Sequence, residues 1–171
     1  MNAILEQQQI AGASDIGFDE AVRFIWREAD MLDRHEYRSW LALWDTAGQY
    51  IVPLDCEERA DYADHLNVVF DDDAMRKARV KRLLSGFSMS AAPAARTVRS
   101  LSRFVEVSAE TPGIALRCAQ ILTEYKYARQ RVLAADVDFH LIRTGGELRL
   151  SRKVVRLVNA DDALHGIGYL L

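Results

Sequence analysis

Residues 129–159 read RQRVLAADVDFHLIRTGGELRLSRKVVRLVN, and this stretch decides the fold. It is rich in valine, leucine and arginine and is broken once, at Gly145-Gly146, a dipeptide whose tolerance of positive φ suits a two-residue hairpin loop. The spacing predicts two long antiparallel strands, Arg129 to Arg143 and Glu147 to Asn159. Within the second, Leu148 and Leu150 share one face while strict alternation puts Val155 and Leu157 on the other. Either a bulge near Arg152 shifts the phase, or both faces are partly buried, the outer one by another subunit.

Working back toward the N-terminus, Arg96 to Ser108 and Gly113 to Tyr125 have the same β-rich composition, with a turn at Thr111-Pro112-Gly113. Gln49 to Val52 reads as a short strand ended by Pro53, and the polar segment Asp55 to His65 as an exposed loop. Helical spacing appears earlier. Phe18, Val22, Ile25, Ala29 and Leu32 form one stripe behind a Ser14 or Asp15 N-cap, and Tyr37, Trp40, Leu41 and Trp44 form a second, completing a helical hairpin. A third helix is expected where Asp71, Asp72 and Asp73 precede Arg76 to Arg82, an acid-first order that complements the helix dipole, with Gly86 as its C-terminal cap. Pairs Asp72 with Arg76 and Asp73 with Lys77 would make this an ordinary charged face rather than a phosphate site. Helices followed by strands predict an α+β fold, one domain over residues 15–171 behind a flexible tail of residues 1–14.

Composition narrows the partners. With 22 basic and 25 acidic residues the net charge is −3, which supplies no field for a phosphate backbone, so no nucleic acid is expected. No stretch reaches the roughly 18 apolar residues of a membrane span, and the N-terminus lacks a signal pattern. Cys56 and Cys118 match no paired motif, which suits a reducing, cytoplasmic setting, and neither has a partner that would make it a nucleophile.

The histidines His35, His65, His140 and His165 fit neither Rieske ligand spacing nor a two-histidine, one-carboxylate iron site; Asp162 and His165 lack a second histidine nearby. No metal or cofactor is therefore expected in this chain. Asp136, Asp138 and His140 alternate along one strand and share a face. Turned into a cavity, an Asp and His pair there would serve acid–base chemistry of the isomerase or dehydratase kind; turned outward, it is a solvated or interface face. A single ion is a poor fit, because positions four apart on a strand are about 13 Å apart. Trp26, Trp40 and Trp44 either pack or line a pocket for small aromatic ligands, with packing favoured. Arg143, Arg149, Arg152 and Arg156 suit carboxylates across a subunit boundary.

The wording itself resembles a known family. Phe24-Ile25-Trp26-Arg27-Glu28-Ala29-Asp30-Met31-Leu32-Asp33, then Trp40-Leu41-Ala42-Leu43 and Tyr50-Ile51-Val52-Pro53, is similar to the opening of the small (β) subunits of aromatic-ring-hydroxylating dioxygenases. Arg79-Val80-Lys81-Arg82-Leu83-Leu84-Ser85-Gly86, Pro93 with Arg96-Thr97, and Leu148 to Asn159 continue the likeness, the last toward the benzoate-type branch. Ala134 to His140 and the acidic loop after Pro53 depart from it. The resemblance implies a cone-like fold of the nuclear-transport-factor kind (NTF2-like, SnoaL-like), with N-terminal helices on a strongly curved, mainly antiparallel sheet. It further implies a non-catalytic, structural chain that forms a trimer within an α3β3 complex, the large (α) subunit holding the Rieske [2Fe-2S] cluster and mononuclear Fe(II) and hydroxylating an aromatic substrate. The alternative is a free-standing isomerase or dehydratase built on Asp136, Asp138 and His140.

Overall fold

The computed structural model describes residues 16–85, 94–108, 112–160 and 167–171. Helix α1 (Phe18–Asp33) follows Gly17 and buries Ala21, Val22, Phe24, Ile25, Ala29, Met31 and Leu32, with one carboxylate, Glu28, in the same stripe. Phe18, expected in that stripe, is exposed, and Ser14 and Asp15 lie outside the described residues. Helix α2 (Tyr37–Leu41) is shorter than its spacing predicts, because Trp44 already begins strand β1 (Trp44–Pro53).

Strand β2 (Asn67–Asp71) was not anticipated: five residues between a polar loop and a helix carry too little pattern. Helix α3 (Asp73–Ser85) starts behind Asp72, whose carboxylate accepts from the Met75 N–H at 2.8 Å. The aspartate thus caps the helix instead of pairing with Arg76. Lys77 does meet Asp73, at 2.6 Å; Gly86, the expected C-terminal cap, is outside the described residues.

The long strands are β3 (Arg96–Ser108), β4 (Ile114–Lys126), β5 (Arg129–Thr144) and β6 (Glu147–Leu157). Among the described residues they join β1 and β2 in one six-stranded sheet of order β2-β1-β6-β5-β4-β3, antiparallel except for the parallel pair β1 and β6. Gly145 and Gly146, at φ 60° and 85°, close β5 onto β6 in a two-residue loop. Tyr127 and Ala128 close β4 onto β5 with positive φ and no glycine, a turn that composition did not signal.

Both explanations offered for the phase of β6 hold. His140 pairs with Arg152 while Leu141 pairs with Leu150, so Ser151 is the extra residue of a bulge. With it, Leu150 before the bulge and Val155 and Leu157 after it all reach the helix-covered core. Val154 and Arg156 on the opposite face are buried too, 2% and 4% exposed. Part of their cover is the chain's own segment between β1 and β2: Tyr62 packs with Ile51 and Val154, while most of Asp55 to His65 is an exposed loop as the sequence predicts.

Candidate functional site

Strand β5 presents Leu133, Ala135, Val137, Phe139 and Leu141 to the core, so Asp136, Asp138 and His140 share the outer face. Cross-strand registry then sets their neighbours. Asp136 lies opposite Arg156 and Ala119 and reaches exposed Arg103 at 3.4 Å. Asp138 lies opposite Arg117 and accepts from it at 2.8 Å; its other oxygen is hydrogen-bonded to Arg156. Burial works to raise the Asp138 carboxyl, but Arg156 and Arg117 outweigh it and hold it below the usual carboxylate range. His140 Nε2 is buried beside Gly113, where an added Cβ would sit 3.1 Å from that nitrogen and 2.1 Å from the Leu141 carbonyl oxygen. Glycine is required there by space and by its φ of 118°.

These three residues therefore face away from the helix-covered core, and Asp138 and His140 line a groove on that outer face. Asp138 is a fixed counter-ion between two guanidiniums, a poor acceptor for a substrate proton. The loop over Tyr62 closes a groove of about 550 Å³ above this face, with Arg59, Arg117, His140 and Arg152 among its walls. Arg143 pairs with Glu20 at 2.9 Å, Arg149 with Glu147 at 2.5 Å, and Arg152 stacks over Tyr62. The late arginines thus each meet a partner within the chain.

The other face holds polar residues that the sequence reading did not single out. Lys153 Nζ donates to Glu28 at 2.8 Å and to the Leu171 carbonyl at 2.9 Å, and Trp40 Nε1 donates to the same Glu28 oxygen at 2.7 Å. Neither side chain of the pair exceeds 1% exposure. Burial lowers the Lys153 pKa against the pull of Glu28. Nearby, Arg99 is paired to Asp33, and Asp71 binds Arg79 at 2.5 Å. Arg76, expected on a charged face, is buried: it donates to the Gly48, Asp71 and Asp45 carbonyls and lies 4.3 Å over Trp44. The legible signal was Glu28 itself, a carboxylate three residues after Ile25 and four before Leu32 in an apolar stripe.

Trp40 and Trp44 pack edge-on at 5.3 Å and both meet Tyr50, so two of the three tryptophans are core; Trp26 is exposed against Phe104. Among the described residues no group of three or more His, Cys, Asp or Glu side chains is arranged to hold an ion; Asp162 and His165 lie outside them. Glu28, Asp33 and Asp71 each meet a cation, and Glu28 an indole as well.

The sequence pattern of the family described as "Ring hydroxylating beta subunit" matches residues 27–161. The chain belongs to this family. It is the β subunit type of aromatic-ring-hydroxylating dioxygenases, oxidoreductases in which such a chain partners a large α subunit. It is 27% identical over 135 residues to the small oxygenase component of the p-cumate 2,3-dioxygenase system of Pseudomonas putida, spanning 78% of this chain and 75% of that one. The β subunit of benzoate 1,2-dioxygenase from Burkholderia mallei superposes with a TM-score of 0.73 at 19% identity, over 91% of this chain and 98% of that chain. An NTF2-like protein of cystatin-like fold from Novosphingobium aromaticivorans aligns with a TM-score of 0.55 at 14% identity, over 82% and 81%. The dioxygenase β subunit thus has the NTF2-like cone that the resemblance implied, and no helix among its described residues is long and apolar enough to cross a membrane.

Proposed function

We propose that this β subunit is a non-catalytic, structural component that trimerises and supports three large subunits in an α3β3 assembly. The large subunits supply the Rieske [2Fe-2S] cluster and the mononuclear Fe(II), and with them the oxygen chemistry on an aromatic substrate. Residues 15–171 act as one domain in this reading, in the cytoplasm, where Cys56 and Cys118 stay as thiols.

The observation that carries the reading is the family match over residues 27–161. The outer face of β3, β4 and β5 supports the self-association. Val98, Thr123 and Val132 lie side by side in register, then Ser100, Ile121 and Ala134, then Ser102, Ala119 and Asp136. Val98, Ile121 and Val132 are 66%, 43% and 55% exposed, and the small residues between them let another layer approach closely.

Co-expression with a large-subunit reading frame tests this directly. The expected outcome is co-purification, iron that partitions with the large subunit, and hydroxylation that depends on both chains. Stoichiometric iron in the purified β subunit, or a monomer that binds no large subunit, overturns the reading.

A further inference from the structure

Three buried donors from three strands converge on one short piece of main chain. Lys153 Nζ and Tyr50 Oη donate to the Leu171 carbonyl at 2.9 and 3.2 Å, and Arg99 donates to the Leu170 carbonyl. The Leu171 N–H returns a bond to Tyr50 Oη at 2.9 Å. Leu170 and Leu171 are 1% and 5% exposed. Beside them lies a cavity of about 330 Å³, walled by Tyr50, Val52, Val69 and Arg79 on one side and by Tyr169 to Leu171 on the other. That volume is at the small end of ligand pockets.

We propose that this end of the cone is a binding site for an apolar ligand with a hydrogen-bond-accepting oxygen head, and that residues 167–171 occupy it as an intramolecular ligand. The head must accept hydrogen bonds, because the site presents Lys153, Tyr50 and Arg99 as donors. Each cation also has a carboxylate of its own, Lys153 with Glu28, Arg99 with Asp33 and Arg79 with Asp71, so the donors stay in place whether or not the head is bound. Without the segment, the Tyr50 hydroxyl loses both of its bonds within the chain, and an incoming acceptor restores one of them. Apolar walls at Val52 and Val69 then take the body of the ligand.

Hydrogen exchange on the intact chain is the first test. The Leu171 amide is expected to be protected, and Tyr50→Phe to lower that protection at least tenfold while α1 and β5 amides keep theirs. An unprotected Leu171 amide, or one that Tyr50→Phe leaves unchanged, overturns the proposal. The second test uses the full-length variant Leu170→Gly/Leu171→Gly and a fluorescently labelled, amide-capped peptide Ile-Gly-Tyr-Leu-Leu. Saturable binding at least tenfold tighter than to the unaltered chain supports the site. Equal binding to both, or none to a variant with unchanged circular dichroism, overturns it; should that variant not fold, the exchange result decides. Neither readout depends on iron, on a large subunit or on trimerisation.

Discussion

On the helix-covered face of β6, Lys153 meets Glu28 with neither side chain more than 1% exposed. Three residues further along the same strand, Arg156 meets Asp138 on the other face, where the carboxylate keeps 28% of its surface in water. The two pairs share an architecture and differ in solvent. Inside, removing both charges from water costs several kcal/mol, offset only because Trp40 and Leu171 complete the bonding, so the pair specifies which strand faces which helix more than it adds net stability. Outside, water and salt share the work, and Asp138 is shielded enough to stay ionised yet accessible enough to be replaced. The inner face builds the subunit, and the outer face keeps its charges in contact with water.

The largest expected effect comes from breaking the inner pair. Lys153→Ala leaves Glu28 buried and unpaired and should lower unfolding free energy by about 3–5 kcal/mol in urea titrations. Replacing both residues, as Glu28→Leu with Lys153→Met, should recover most of that loss. A double variant as unstable as the single one would remove the distinction between the faces.

Asp138→Asn is expected to cost less, about 1.5–3 kcal/mol, since it strips Arg117 and Arg156 of a charged acceptor that is partly solvated. It should also change the acid limb of stability. The folded Asp138 pKa lies below its unfolded value near ~3.9, so its contribution is present above that pH and is lost as pH falls through the folded value. Thermal melts from neutral pH into acid should therefore converge for the wild type and Asp138→Asn, and parallel curves would refute the assignment.

Ile121→Asp, on the exposed face, should shift monomer stability by no more than about 0.5 kcal/mol. Its effect should show instead in sedimentation, as a self-association constant weakened at least tenfold. The hairpins that hold the two faces in register give smaller changes. Gly146→Ala, at φ 85°, should cost about 1 kcal/mol, and Ala128→Gly, at φ 57°, should gain a similar amount. Thiol labelling gives the mildest contrast: burial pushes inward-facing Cys118 up to about 12, while Cys56 is exposed, so iodoacetamide at neutral pH should modify Cys56 alone in the folded chain.

The long strands were legible because β-rich composition runs over β3 to β6 despite their bulges; the start of β3 at Arg96 and the Gly145-Gly146 loop fall where the sequence places them. Strand β2 and the true end of α2 were not, since five residues of pattern cannot outweigh their surroundings and Trp44 satisfies a helix face and a strand equally well. At the candidate site, the common face of Asp136, Asp138 and His140 followed from spacing alone. Its direction was also written in the chain, in the unbroken apolar set Leu133, Ala135, Val137, Phe139 and Leu141 between those residues. Partners were the hidden part. Arg156 with Asp138, Lys153 with Glu28 and Arg76 with Gly48 are joined across 18, 125 and 28 positions, and only the sheet order and the packing of α1 and α3 on the sheet bring them together.

The bulge at Ser151 gives β6 a place where a one-residue deletion leaves both faces as they are. Without that extra residue, His140 still meets Arg152 and Phe139 still meets Lys153, so Leu150, Lys153 and Val155 keep the core side and Arg152, Val154 and Arg156 the groove side, now in strict alternation. A one-residue deletion further on, between Lys153 and Leu157, is instead equivalent to exchanging the interior and exterior of the rest of the strand. Among relatives of this chain, a change in length in β6 should therefore fall at Ser151 and not between Lys153 and Leu157, even where the residues themselves vary.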